Sequence, residues 1–131
     1  MKLATKVAVG VGATATLVGA GALPASATTK NYTFSSQGKD CKWSVQWNLP
    51  TASAAGNALI DMNADCLRVD ADIYYNYKGQ AQHDYIWMPA YPNTYYFTDI
   101  PAGAELTRIT TTADIAAPGG PVHSGTHYAF D

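Results

Sequence analysis

From Cys41 onward the side chains keep a period of two, and that alternation constrains the fold more than any other feature. Cys41, Trp43, Val45 and Trp47 are apolar, while Lys42, Ser44, Gln46 and Asn48 between them are polar. This is the pattern of a strand that buries one face and wets the other. Ala58, Ile60, Met62 and Ala64 carry the apolar positions on even numbers, whereas Leu67, Val69, Ala71, Ile73, Tyr75 and Tyr77 carry them on odd ones. A continuous strand cannot change the face it buries, so the flip places a turn or bulge at Asp65-Cys66. Lys78-Gly79-Gln80 predicts a hairpin turn, followed by strands near 82–88, 94–98, 105–113 and 122–130. Pro89 and Pro92 bracket one loop, and Pro101-Ala102-Gly103 and Pro118-Gly119-Gly120-Pro121 mark others. Helical spacing is nearly absent, and abundant Tyr and Thr beside a single Glu favour strands by propensity as well. The expectation is an all-β chain: a small antiparallel β-sandwich, or alternatively a small closed barrel, of about seven or eight strands.

The first 27 residues read differently. Lys2 and Lys6 give a positive start, residues 7–22 are uncharged, and Ala25-Ser26-Ala27 is a small-x-small cleavage site. Together they predict a secretory signal peptide over residues 1–27, cut after Ala27, with residues 28–131 as a single domain. A spanning helix needs about 20 predominantly apolar residues, and this stretch is interrupted by Gly10, Gly12, Thr14, Thr16, Gly19 and Gly21. No cysteine follows the cleavage site directly, so the expectation is a secreted, extracellular protein without a membrane anchor. In style the leader resembles those of exported proteins from high-GC Gram-positive bacteria. In an oxidising compartment Cys41 and Cys66 predict one disulfide, since two cysteines make only half of a structural zinc site.

Charge excludes some partners. Of eight Lys and Arg, two leave with the leader, so six remain against ten acidic residues, a net charge near minus four. Lys30, Lys39, Lys42, Arg68, Lys78 and Arg108 are scattered singly, which speaks against nucleic acid, whose phosphates need clustered cations, and against an anionic membrane. An immunoglobulin-type bridge would put a tryptophan on a strand between the cysteines and a tyrosine two residues before the second. Here Trp43 lies two residues after Cys41, and Ala64 stands in the tyrosine's place. The run Tyr96-Phe97-Thr98-Asp99-Ile100-Pro101-Ala102-Gly103 is similar to a strand-and-turn phrase of bacterial extracellular immunoglobulin-like and transthyretin-like sandwiches.

Asp61-Met62-Asn63-Ala64-Asp65, with Asp72 at the twelfth position, resembles the calcium loop of the EF-hand and dockerin families. The resemblance implies Asp61, Asn63, Asp65 and Asp72 as side-chain ligands of calcium, with Leu67 supplying a carbonyl. Cys66 stands where those loops carry glycine, and the flanks read as strands, so the same residues also fit the wet faces of two strands. No other cofactor is expected. His83, His123 and His127 make a zinc site only if a turn at Ser124-Gly125 folds the last two together. No Gly-x-Ser-x-Gly elbow is present, and no catalytic residue is assigned.

Aromatic residues are the strongest remaining signal. Tyr74, Tyr75, Tyr77, Tyr85, Trp87, Tyr91, Tyr95, Tyr96 and Phe97 crowd one stretch, and alternation cannot bury them all. Tyr74, Trp87, Tyr91 and Tyr95 are therefore candidates for an exposed binding platform, because a rigid ring offers much contact area at low entropic cost. The sequence thus points to a small monomeric, non-catalytic binding protein for an extracellular glycan or cell-surface polymer. An alternative is an inhibitor or effector of another secreted protein, such as a protease, acting through a proline-stiffened loop. A small hydrolase or calcium-dependent protein is the third reading.

Overall fold

The structure, a computed structural model, describes residues 5–8, 27–89 and 94–131. Among these residues the regular secondary structure is all strand: β1 (Thr5–Ala8), β2 (Ala27–Ser36), β3 (Lys39–Asn48), β4 (Gly56–Met62), β5 (Arg68–Tyr77), β6 (Gln80–Pro89), β7 (Thr94–Ile100), β8 (Glu105–Ile115), β9 (Val122–His123) and β10 (His127–Phe130). They form two antiparallel sheets, the first in the order β1-β7-β4-β3-β2 and the second in the order β10-β8-β5-β6, with β9 beside β8. The expected sandwich is what forms, and the barrel alternative is not. The neighbours β4–β7 and β5–β8 are distant in sequence, so the chain crosses between layers in the Greek-key manner.

The alternation in β3 does what its sequence requires. Cys41, Trp43, Val45 and Trp47 all point inward and are at most 4% exposed. They meet Ala58, Ile60 and Met62 of β4 on the same sheet, and Val69, Ala71 and Ile73 of β5 from the other. The phase flip falls between β4 and β5, where Cys66 N–H donates to the Asn63 carbonyl in a short turn. It marks a crossing from one layer to the other, which is why the buried parity changes. Two-residue hairpins close β2–β3 and β5–β6, with positive φ at Gln37 and Gly38 and at Lys78 and Gly79. Such turns match the right-handed twist of the flanking strands.

Two features depart from the sequence reading. A long strand, β2, precedes Cys41. Only Tyr32 and Phe34 of it lean on the core, so its apolar signal is thin and its edge position requires little more. The expected strand over 122–130 is split into β9 and β10. Ser124 replaces a ladder partner with its side chain, its Oγ accepting from Ala113 N–H at 2.9 Å, and the chain bends before resuming at His127. Four residues of the expected leader, Thr5–Ala8, pair with β7, and Ala27, the expected cleavage point, is the first residue of β2.

Two hydrogen bonds tie the layers across the core. Trp43 Nε1 donates to Thr111 Oγ1 at 2.9 Å, and Thr98 Oγ1 donates to the buried Asp84 carboxylate at 3.0 Å. The Cys41–Cys66 disulfide forms as expected, tying β3 to the β4–β5 crossing with a Cα separation of 4.5 Å. Closing a loop of this length stabilises the fold by about 3 kcal/mol on the chain-entropy model. Replacing both cysteines with alanine should therefore lower the unfolding free energy by about that amount, read from denaturant midpoints. A midpoint unchanged by the double replacement would show that the crossing is fixed by its neighbours alone.

Candidate functional site

Among the described residues, the outward face of the second sheet carries a group of aromatic side chains that the core does not use. In β5 the inward positions are Val69, Ala71, Ile73 and Tyr75, which sends Arg68, Asp70, Asp72 and Tyr74 outward. Register then fixes their neighbours. Asp70 lies beside Trp87, Asp72 beside Tyr85, and Tyr74 beside His83 on β6. On the other side Asp72 lies beside Thr110 and Tyr74 beside Arg108 of β8, with Tyr128 of β10 next to Thr110. Successive same-face residues on one strand lie about 6.8 Å apart and neighbouring strands about 4.8 Å. The result is a lattice of rings and charged groups on one sheet face.

Arg108 reaches this lattice because of a bulge. The β5–β8 register slips between Tyr74 and Tyr75, leaving Thr107 unpaired, with its hydroxyl donating to the Tyr74 carbonyl at 3.0 Å. Both Thr107 and Arg108 therefore face solvent. The Arg108 guanidinium sits 5.7 Å from the Tyr74 ring centre and 5.9 Å from that of Tyr128.

The charged groups are mutually engaged. Arg68 Nε donates to Asp70 Oδ1 at 2.6 Å, and its Nη2 donates to the Tyr85 hydroxyl at 2.7 Å. So held, the guanidinium lies 4.9 Å from the Trp87 ring centre. The Asp70 hydrogen bond leads in pushing the Arg68 pKa further up. Burial likewise raises the Tyr85 phenol, against the pull of the Arg68 hydrogen bond. His83 stacks on Tyr74 at 4.5 Å with planes 7° apart, its Nε2 sharing a 2.6 Å hydrogen bond with Asp72 Oδ1. His123 Nδ1 is bonded likewise to Asp114 at 2.6 Å. Despite these contacts Trp87 is 47% exposed and Tyr128 is 54% exposed. The rings are thus fixed in orientation by their partners and remain open to a ligand.

Of the four platform residues expected from sequence, Tyr74 and Trp87 share this face. Tyr95 does not: it belongs to β7 of the first sheet. Tyr91 lies outside the described residues. Tyr85, His83, Arg108 and Tyr128 complete the face, although the sequence does not mark them as platform residues. The signal is obscured in β6, where the inward position opposite Ile73 is the polar Asp84, 2% exposed. A strand with a carboxylate on its buried side gives no clear alternation, so the sequence does not show which face Tyr85 takes.

The residues of the calcium-loop resemblance are divided between layers. Asp61 is on β4 of the first sheet and Asp72 on β5 of the second. Asn63 Oδ1 accepts from Lys42 N–H, and its amide donates to the Asp40 carbonyl. Asp65 accepts from Asp40 N–H. Asn63 and Asp65 thereby cap the end of β3, and Asp72 is paired with His83. Among the described residues no group of three or more His, Cys, Asp or Glu gathers as metal ligands would. The histidines are apart as well, with His127 packed against Tyr32 and Trp43.

These features define a disulfide-tied β-sandwich with one sheet face built from oriented aromatic rings and interleaved arginines. Set against models of known families, curated proteins and solved structures, the chain matches none of them.

Proposed function

We propose that the chain is an exported, non-catalytic binding protein that recognises a neutral glycan or cell-surface polymer on the outward face of its second sheet. The observation that carries this reading is the exposure of Trp87 on the same sheet face as the stacked Tyr74–His83 pair, two same-face positions along β6 from His83 with Tyr85 between, each ring held by a charged or hydrogen-bonded neighbour. Sugar rings stack on such surfaces through their apolar C–H faces, and pre-oriented rings reduce the ordering cost of binding. Arg68 and Asp70 compensate each other, and the Asp72 carboxylate is engaged by His83, which suits a neutral ligand better than an anionic one. The leader and the disulfide support export, and cleavage after Ala27 would remove β1 while leaving this face intact.

Depletion of the oxidised protein by insoluble cellulose, chitin, β-1,3-glucan and peptidoglycan tests the proposal. Retention on at least one polymer is expected, weakened at least about tenfold by Trp87→Ala and by Tyr74→Ala, as for truncated aromatic anchors elsewhere. Failure of the parent protein to bind any of the four, or binding indifferent to both substitutions, would overturn it.

A further inference from the structure

The opposite face of the sandwich holds an open, shallow depression. It is a cleft of about 570 Å³ across β2, β3 and β4, within the size range of small-molecule sites. Register places Asn31 beside Ser44 and Ser44 beside Asp61, with Thr33 beside Lys42 one step along. Strands about 4.8 Å apart thus bring five polar side chains to one surface. Ser44 and Asp61 are half-buried, and Asn31, Thr33 and Lys42 are exposed. Asn63 at the rim is occupied in holding the β3 backbone, but the five carry no hydrogen bond or ion pair to another described side chain. The contrast with the aromatic face is chemical. There the polar groups bond one another; here donors and acceptors converge on open space.

Asp61 sharpens the point. Burial pushes its carboxyl above the ordinary range, opposed by the Met62 backbone hydrogen bond, and no described cation pairs with it. A carboxylate with a raised folded-state pKa costs stability once pH exceeds its unfolded value, and a ligand hydroxyl donating to it would offset that cost. Lys42 stands in the same cleft. A phosphate would meet Asp61, and an ammonium would meet Lys42. A neutral polyol meets neither conflict, since each hydroxyl both donates and accepts.

We propose that this cleft is a separate carbohydrate site that takes a single neutral pyranose unit by its hydroxyls. Asp61 accepts from one hydroxyl, Asn31 and Lys42 donate to neighbouring oxygens, and Ser44 and Thr33 serve in either sense. The site is independent of the aromatic face, so the protein presents a polymer platform on one side and a sugar pocket on the other.

Titrating the oxidised chain with methyl α-glucoside, methyl α-galactoside, methyl α-mannoside and N-acetylglucosamine, read by ¹H–¹⁵N NMR, tests the site. At least one sugar should shift the Ser44, Met62 and Asn63 amides saturably, with an affinity roughly in the millimolar range for so small a ligand. Asp61→Asn should weaken that binding at least about tenfold, as expected for loss of a hydrogen bond to a charged group, while the melting midpoint rises. Lys42→Ala should weaken binding without unfolding, and Trp87→Ala should leave it unchanged. No saturable shift with any of the four sugars, or equal affinity in both cleft variants, would overturn the proposal. Polymer retention lost while these shifts persist would instead count against the aromatic platform.

Discussion

Replacing Gly56 with alanine is expected to destabilise the protein by at least about 3 kcal/mol. The reason lies in a close approach, since Gly56 has an ordinary negative-side backbone conformation and is not among the positive-φ glycines. A Cβ there would lie 2.2 Å from the Asn48 carbonyl oxygen and 2.6 Å from Pro50 N. Both are backbone atoms, and they belong to the chain as it leaves β3 and turns back into β4. Relieving the clash means moving the end of β3, whose Asn48 also pairs with Ala27 of β2. Conformational entropy alone would favour alanine by about 0.4–1 kcal/mol, so the steric cost must exceed that gain several-fold. Gly119 is the matching control, because its Cβ would meet nothing within 4 Å. Gly119→Ala should leave the denaturation midpoint within about 0.5 kcal/mol of the parent. Equal effects at the two positions would remove the close approach as the cause.

Gly56 also illustrates what the chain discloses before it is folded. The parity of Cys41 to Trp47 and of Val69 to Tyr77 identifies inner faces correctly, because residues of one sheet layer have no other means of reaching the core. The change of parity at Asp65-Cys66 marks a change of layer, and the hairpin at Lys78-Gly79 needs only local turn chemistry. Gly56 carries no such sign: what forbids a side chain there is a carbonyl eight residues earlier, and only the folded turn brings it near. The aromatic face was partly legible for a similar reason. Tyr74 reads as outward because its strand alternates cleanly. Tyr85 does not, since Asp84 breaks the pattern of β6 and is compensated by Thr98 from the other sheet. Tyr95 falls on the other sheet because β7 crosses layers, and crossing order is a tertiary property that local pattern does not encode. Arg108 reaches Tyr74 only through the bulge at Thr107, which the sequence marks by no more than the change of apolar parity from Leu106 to Ile109.

Trp43→Ala is expected to cost about 3–5 kcal/mol, the range for removing a large buried aromatic side chain. Trp43 is 2% exposed and occupies the centre of an aromatic cluster, 5.4 Å from Tyr32 and 5.2 Å from His127 between ring centres. These neighbours come from β2 and β10, the outer strands of opposite sheets, so the indole fixes how the layers are aligned. Truncation would leave a cavity and also strand the Thr111 hydroxyl, 1% exposed, without the Nε1–H that now meets it. The two contributions can be separated. Trp43→Phe keeps most of the apolar area but leaves Thr111 unpaired, and Thr111→Val leaves the indole N–H unpaired; each should cost about 1–3 kcal/mol. If the hydrogen bond is what clamps the layers, the double variant should cost less than the sum of the singles by at least about 0.5 kcal/mol, because neither polar group is then left buried alone. Strict additivity in denaturant unfolding would reassign the alignment to ring packing, with the hydrogen bond incidental to it.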